Sequence, residues 1–201
     1  MIKNIVFDLG GVVVAHNAES FREKLGDFFS FVFGPDMKCV PMFWQDYDRG
    51  LLTIDETAAA VAELRNCSAE LAKSHMLYAV SLQEEVEPTV ALIKELKERG
   101  YKLYVLSNMS KEYIEFLRKF PVFDLFDEQV VSCEVGLGKP DPKIYEYLLS
   151  HCDLDPAETI FIDDRKDNVD VAKELGITPF HFDRSNPEQA CADLRRVIYG
   201  E

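Results

Sequence analysis

Four clusters of polar residues stand where apolar runs of this sequence end, and together they carry opposite charges and several hydrogen-bonding groups. These clusters are Asp8, Ser107-Asn108, Lys139-Pro140 and Asp163-Asp164. Taken singly, each is a common turn or helix cap. Their order along the chain, and their repeated position after an apolar run, favour a single site built from carboxylates, a hydroxyl, an amide and an ammonium group.

Such a set of groups suits phosphoryl chemistry. Two or three carboxylates can hold a hard divalent cation such as Mg²⁺, which offsets repulsion between an anionic nucleophile and a phosphate. Lys139 and Ser107 can hold the same oxygens, as can the backbone N–H groups of Leu9, Gly10 and Gly11. The glycines let the backbone approach the phosphate closely. A carboxylate in line with phosphorus can form an acyl phosphate that water then hydrolyses.

The apolar runs before these clusters predict the strands of a parallel sheet, at whose carboxyl ends ligands bind. Five runs rich in β-branched or aromatic residues are expected as strands: Asn4–Phe7, Leu103–Leu106, Gln129–Ser132, Thr159–Ile162 and Pro179–Phe182. Helical patterns alternate with the last four strands. The sequence therefore predicts an α/β fold with helices on both faces of the sheet.

Local signals place the helix starts. Helices are predicted to open at Glu87-Pro88, Asp141-Pro142, Asn168 and Asn186-Pro187, since proline favours the first helical turn and Asp or Asn favours the cap. Gln189 occupies the third position of a capping box.

The predicted alternation of strands and helices is interrupted after the first strand. Between Val14 and about Val86 we expect no strand, only helical segments such as Ile54 through Leu64. Residues 15–85 are therefore predicted to form a helical cap inserted into a core made of residues 1–14 and 86–201. The aromatic stretch from Asp27 to Phe33 is expected to pack inside the cap, with a surface that contacts the core, a substrate or a second subunit as the alternative.

The overall composition narrows the classes of partner. The chain has 201 residues, with 22 basic and 36 acidic side chains for a net charge of −14. That balance disfavours nucleic acid and anionic membranes, but a local cationic site can still bind a small anion. No signal peptide and no membrane span are recognisable. Five scattered cysteines without CxxC spacing favour reduced thiols in a cytoplasm.

The motifs as a set resemble those of the haloacid dehalogenase-like (HAD) hydrolases, in particular phosphatases with a helical cap. The resemblance runs nearly end to end and rests on the stretches FDLGGVVV, VLSN, GKPDPKIY and FIDDRKDNVDVAKELGI. It is greatest to bacterial sugar-phosphate phosphatases of the glucose-1-phosphate type, whose first motif reads Asp-Leu-Gly. The resemblance implies a Rossmann-like core and Mg²⁺ as cofactor.

The resemblance also implies roles for individual residues. Asp8 would be the nucleophile, Ser107 and Asn108 would lie at the phosphate, and Lys139 would steady both. Asp164 would bind the metal together with Asp8 and the backbone carbonyl of Gly10, with Asp163 as a candidate further ligand. Asn168 matches a position that supports the metal shell in relatives.

The chain departs from the family pattern at Gly10, where most phosphatases of the family carry an aspartate that acts as general acid and base. Its loss typically costs about 10²–10⁴-fold in rate. Another residue could substitute, with His16, Asp46 and Asp48 as candidates. Alternatively, the leaving group needs little help, as with a phosphate on an anomeric carbon, or the protein mainly binds its ligand.

The sequence therefore predicts a Mg²⁺-dependent phosphatase that acts on a small phosphorylated metabolite, with a sugar phosphate as the preferred class and a monomer or homodimer as the assembly. The alternative is a weakly catalytic protein that binds a phosphorylated ligand or a protein partner. The paired acids argue against a metal-free C–halogen hydrolase, and Gly10 argues against a phosphomutase. Four cap residues could face the substrate or pack the cap, with packing favoured for the aromatic ones: Phe43, Trp44, Tyr47 and Arg49.

Overall fold

A computed structural model describes residues 2–34 and 40–200 of the chain. Its strands, in chain order, are β1 (Asn4–Phe7), β2 (Val14–His16), β3 (Gln83–Glu85), β4 (Lys102–Ser107), β5 (Glu128–Val131), β6 (Thr159–Asp163) and β7 (Thr178–His181). Five of them form one sheet in the order β5-β4-β1-β6-β7, and every neighbouring pair is parallel. The predicted α/β class is confirmed.

The strand register sets the position of the polar clusters. Strand β1 is central: Phe7 lies opposite Val105 of β4 on one side and opposite Ile162 of β6 on the other. Because the three strands run in the same direction, the residues that follow them emerge at one edge of the sheet. Asp8 is therefore flanked by the ends of β4 and β6.

Ten α-helices and two short 3-10 helices, Pro121–Leu125 and Pro156–Glu158, connect and cover these strands within the described residues. The α-helices are α1 (Ala18–Phe33), α2 (Met42–Asp48), α3 (Ile54–Arg65), α4 (Ala69–Ser81), α5 (Glu87–Glu98), α6 (Lys111–Leu117), α7 (Ser132–Val135), α8 (Pro142–His151), α9 (Lys166–Glu174) and α10 (Pro187–Tyr199). None of these described helices is both long and apolar enough to cross a membrane.

Most of the predicted helix starts are correct. The Asp141 carboxylate accepts a hydrogen bond from the Lys143 N–H at 3.0 Å, and Asn186 caps α10 through the Gln189 N–H at 3.2 Å. The capping box is only half formed, because the Gln189 side chain donates to Asp193 instead of the cap. One predicted start was wrong: α9 begins two residues before Asn168, and the Asn168 side chain donates to Asp163 instead of capping the helix.

The sheet is covered on both faces because its strands are apolar on both faces. Along β1, Ile5 and Phe7 pack into one buried cluster with residues of α5 and α10. Val6, between them, points to the opposite face and packs with residues of α8 and α9. All three side chains are fully buried, as expected for a central parallel strand.

The prediction of no strand between Val14 and Val86 was wrong. Strands β2 and β3 pair antiparallel, with Val14 opposite Glu85 and His16 opposite Gln83. Each has only three residues, too few to display an alternating pattern, and the partners are far apart in the sequence. The strand predicted to end at Ser132 is β5, and it ends one residue earlier, at Val131, because Ser132 begins α7.

Helices α1 to α4 pack around their own buried apolar cluster. Phe28 and Phe29 of the aromatic stretch lie inside it with Trp44 and Tyr47, whereas Phe31 of the same stretch is 59% exposed. The packing predicted for this stretch is therefore correct for the residues that face inward.

Candidate active site

A cavity of about 760 Å³ lies where the carboxyl ends of β1, β4 and β6 face helix α2. Six of the predicted site residues line it: Asp8, Gly10, Ser107, Asn108, Lys139 and Asp164. Asp163 lies just beneath this surface, fully buried at the last position of β6. The structure thus brings the four sequence clusters together.

Asp8 is the centre of this arrangement. Its Oδ1 accepts hydrogen bonds from the Ser107 hydroxyl at 2.8 Å and from the Leu9 N–H at 2.7 Å, and it lies 2.9 Å from Lys139 Nζ. Burial raises the pKa of Asp8 to about 7; the Lys139 charge opposes this rise and the Asp163 charge adds to it. The carboxylate is held in one orientation, but the charge of Lys139 does not fully offset the effects of burial and of the Asp163 charge on its pKa.

Lys139 joins the nucleophile candidate to the acidic pair. Its side chain is 1% exposed, and its Nζ lies 2.6 Å from Asp163 Oδ2 and 2.9 Å from Asp8 Oδ1. Burial alone would lower the pKa of Lys139, but the charges of Asp163 and Asp8 outweigh it and raise that pKa above its ordinary value. The side chain is therefore a fixed ammonium group.

Asn108 lines the cavity, and its carboxamide is hydrogen-bonded to the backbone of Lys139. Its Nδ2 donates to the Lys139 carbonyl and its Oδ1 accepts from the Lys139 N–H, both at 2.8 Å. The carboxamide thus pairs with both backbone groups of Lys139, as a neighbouring strand would, and fixes the backbone position of this residue.

The two adjacent acids, Asp163 and Asp164, have different surroundings. Asp163 accepts two hydrogen bonds from Asn168 Nδ2, at 3.0 and 2.9 Å, and one from the Arg165 N–H, in addition to its pair with Lys139. Asp164 lines the cavity, where its Oδ2 lies 3.1 Å from Arg184 Nη1. Burial, and then the charge of Asp163, raises the pKa of Asp164.

The donor set fits a divalent cation. Carboxylate oxygens of Asp8, Asp163 and Asp164 lie within 4.8 Å of one another, and hard oxygen donors are what Mg²⁺ prefers. Burial, with the Asp163 charge adding to it, raises the pKa values of Asp8 and Asp164, and a bound cation would favour their ionised forms. Because Asp163 is already saturated by protein donors, Asp8 and Asp164 are the better direct ligands.

The two glycines after Asp8 serve different purposes. A Cβ on Gly10 would meet no atom within 4 Å, so this position opens onto free space. Gly11 has φ of +80°, and a Cβ there would lie 2.8 Å from Asp164 Oδ2, so a side chain is excluded. In this structure the Leu9 N–H donates to Asp8 Oδ1 and the Gly11 N–H donates to the Val14 carbonyl.

The cap contributes one edge of the cavity through α2. Gln45, Asp48 and Arg49 line it, whereas Trp44 and Tyr47 point into the apolar cluster of the cap and Phe43 packs against that cluster. The prediction that the aromatic side chains pack is thus correct, and Arg49 is the member of that group at the cavity. The guanidinium of Arg49 approaches the loop at Gly138.

Two candidates for the missing acid lie away from the cavity's described lining. Asp46 pairs with Arg49 at 3.7 Å. His16 packs against the Phe21 ring, with centroids 4.7 Å apart, and its Nε2 lies 3.4 Å from the Tyr113 hydroxyl. Burial lowers the pKa of His16 to about 4, so the imidazole is neutral near pH 7 and cannot donate a proton as imidazolium.

Burial of His16 leads to a stability prediction. The unfolded chain protonates this residue below pH 6.5, whereas the folded chain resists protonation until about pH 4. The unfolded state therefore binds more protons in this window, and stability falls as the pH decreases. His16→Gln should lessen the loss of unfolding free energy between pH 7 and pH 4.5 by about 2–3 kcal/mol.

Urea unfolding at the two pH values would measure this difference, with His151→Gln as the control, since His151 is exposed on α8. An identical pH dependence in the wild type and His16→Gln would contradict the assigned burial.

Sequence reasoning missed the charged rim of the cavity. Arg184 follows β7, and three further rim residues belong to the start of α9: Arg165, Lys166 and Asp167. The signal was available for Arg184, because it also follows a parallel strand at the same edge. Its guanidinium supplies positive charge beside Asp164, which the four clusters alone did not predict.

Comparisons with known proteins show what this chain is similar to in sequence and fold. A family model for haloacid dehalogenase-like hydrolases matches residues 2–176. A D-ribitol-5-phosphate phosphatase of Bacteroides thetaiotaomicron is 30% identical over 98% of this chain and 97% of its own length. A sesquiterpene phosphatase of Aspergillus oryzae is 28% identical over 98% and 96%. A HAD family enzyme of B. thetaiotaomicron, solved with magnesium and inorganic phosphate, superposes with a TM-score of 0.74 at 27% identity, over 92% of this chain and 96% of that one.

Proposed function

This chain belongs to the haloacid dehalogenase-like hydrolases, and we propose that it hydrolyses a phosphorylated metabolite through an aspartyl phosphate formed on Asp8. The observation that carries the proposal is the environment of one carboxylate. Asp8 is held by Ser107 and Lys139 at the floor of an open cavity, next to Asp164. The expected class, a phosphoric monoester hydrolase, and the expected cofactor, Mg²⁺, are both confirmed by the relatives.

The side chains suit successive parts of the reaction. Asp8 attacks phosphorus and the leaving oxygen departs, which gives an acyl phosphate that water hydrolyses in a second step. Ser107 and Lys139 now contact the Asp8 carboxylate, so they lie within reach of the phosphoryl oxygens that arrive beside it. Asn108 acts through Lys139, because its carboxamide fixes the backbone of that residue.

Mg²⁺ would be held by Asp8, Asp164 and the carbonyl of Gly10, which accepts no backbone hydrogen bond from the described residues. When bound, it supplies positive charge that lowers the repulsion between nucleophile and phosphate. Asp163 orients Lys139 and accepts from Asn168, so its part is to support the arrangement and not to bind substrate.

The lining of the cavity supports a sugar or polyol phosphate as the substrate class. Residues 15–85 act as the cap, and Arg49 offers guanidinium hydrogen-bond donors at the edge of the cavity that the cap forms. Gln45, beside it, donates to the Val40 carbonyl. The donors of Arg49 match the hydroxyl groups of a sugar or polyol phosphate. A monomer or homodimer in the cytoplasm remains the expectation from the sequence.

The first experiment is phosphate release from sugar phosphates, polyol phosphates, nucleotides and p-nitrophenyl phosphate, with Mg²⁺ and with EDTA. We expect turnover that EDTA abolishes and added Mg²⁺ restores, because Asp8 and Asp164 otherwise repel an arriving phosphate. A thermal melt in EDTA separates loss of the metal from loss of the fold.

Gly10 favours the alternative function, a protein that binds a phosphorylated ligand with little catalysis. The same panel distinguishes the two. Thermal stabilisation by a sugar phosphate, without phosphate release from any compound, would support binding and contradict the phosphatase.

A further inference from the structure

The proposed reaction needs a group that protonates the leaving oxygen and later accepts a proton from water, and position 10 has no side chain to do so. Four acidic residues line the cavity within the described structure: Asp8, Asp48, Asp164 and Asp167. Asp8 and Asp164 already have assigned parts. Asp167 is engaged by the Arg165 guanidinium at 3.3 and 2.9 Å. Asp48 is the remaining acid.

We propose that Asp48, at the end of cap helix α2, is the general acid and base that replaces the side chain missing at Gly10. This inference rests on the proposed phosphatase function. Among the described residues, none donates a hydrogen bond to the Asp48 carboxylate, so its oxygens are available to a ligand in the cavity.

The end of α2 is fixed against the core beside the phosphate site. The Ser132 hydroxyl donates to the Asp48 carbonyl and accepts from the Met109 N–H at 2.9 Å. Since Met109 directly follows Asn108, two hydrogen bonds connect the loop after β4 to the backbone of Asp48. The position of this acid relative to the phosphate site is therefore set by the core and not by the cap alone.

Gly50 strengthens this attachment. Its φ is +71°, and a Cβ at this position would lie 2.5 Å from the Cys133 carbonyl oxygen. Only glycine allows the turn after α2 to approach α7 so closely.

Burial also gives Asp48 a suitable protonation state. It raises the pKa of Asp48 to about 7, against the opposing charge of Arg49. The other titratable groups that act on it are Tyr113 of α6 and Cys133 of α7, and burial raises the pKa of both, so both are neutral near pH 7. Asp48 thus exists in both forms near neutral pH, which suits an acid that must next act as a base.

The proton balance is complete with this one group. In the first step Asp8 Oδ bonds to phosphorus, the bond from phosphorus to the leaving oxygen breaks, and protonated Asp48 gives its proton to that oxygen. In the second step ionised Asp48 takes a proton from water, whose oxygen bonds to phosphorus as the bond to Asp8 breaks. Inorganic phosphate leaves, and both carboxyl groups return to their starting forms.

The test compares Asp48→Asn with Asp55→Asn, a control on cap helix α3 whose side chain is 74% exposed and pairs with Lys73, so it should affect rates by no more than about threefold. For the best sugar or polyol phosphate of the panel, Asp48→Asn should lower kcat/KM by about 10²–10⁴-fold. With p-nitrophenyl phosphate, whose leaving group needs no proton, it should release one equivalent of p-nitrophenolate per enzyme in a burst and then turn over slowly.

The pH profile gives a readout that a structural defect would not produce. Wild-type kcat/KM for the sugar or polyol phosphate should fall as the pH rises above about 7, because the acid form of Asp48 is lost. Asp48→Asn should lack this fall while inorganic phosphate still stabilises it thermally.

The outcomes separate the two proposals. If the wild type is active and Asp48→Asn retains its rate, the assignment of Asp48 is overturned and the phosphatase stands. Equal slowing of both substrates without a burst would also overturn it, since that pattern indicates a structural role. A wild type that hydrolyses nothing would overturn both.

Discussion

Asp8→Asn is expected to abolish turnover, with kcat reduced by roughly 10⁴–10⁶-fold, as for loss of the nucleophile in other covalent hydrolases. The asparagine side chain keeps the size of aspartate and can still accept from Ser107 and Leu9. It is a poor nucleophile, so no acyl phosphate should form. Phosphate release under saturating Mg²⁺ would measure the effect.

The fold of Asp8→Asn should survive, because the substitution removes a buried charge that lies beside Asp163 and Asp164. A melting temperature close to that of the wild type is the control. Wild-type activity in the well-folded variant would remove Asp8 from the reaction and require a different nucleophile.

Lys139→Ala should produce the second large effect, on both rate and stability. The rate should fall by at least about 10²–10³-fold, the cost of losing a group that stabilises developing charge. The free energy of unfolding should fall by about 3–5 kcal/mol, since two buried carboxylates lose the cation between them. Steady-state kinetics and urea unfolding would measure the two losses separately.

Lys143→Ala provides a matched control, because Lys143 is exposed in the first turn of α8, four residues further along the chain. It should resemble the wild type in both measurements. If Lys139→Ala lost stability but kept its rate, Lys139 would be a structural ion-pair partner only.

Much of the core and its site could be predicted because the signals are local. The apolar run before Asp8 and the run before Asp163 each identified a strand within about one residue. Parallel strands then bring their carboxyl ends together regardless of the distance between them in the sequence. The convergence of Asp8, Ser107, Lys139 and Asp164 needed no further information.

The remainder depended on contacts that no local pattern encodes. Strands β2 and β3 exist because two short segments pair across the base of the cap. The carboxamide of Asn108 turns to the backbone of Lys139, although its position after a strand favoured a ligand. The distinction between Asp163 and Asp164 arises from Asn168 in the first turn of α9, whose side chain donates to Asp163 and not to Asp164.

The same reasoning explains why Asp48 could not be chosen from the sequence. Asp46 and Asp48 lie two residues apart on one short helix, and composition treats them alike. Tertiary packing directs one toward an ion pair with Arg49 and the other toward the cavity. The different positions of Asp46 and Asp48 therefore result from the packing of the cap against the core.

The most direct test of the account is to trap the covalent intermediate. Enzyme mixed with p-nitrophenyl phosphate and Mg²⁺ would be quenched in acid, treated with borohydride to reduce any acyl phosphate, and digested with trypsin. The account predicts a reduced carboxyl group at position 8 in the peptide of residues 4–22, present in the wild type and absent from Asp8→Asn. Phosphate release with no modification at position 8, or with modification of another acid, would contradict it.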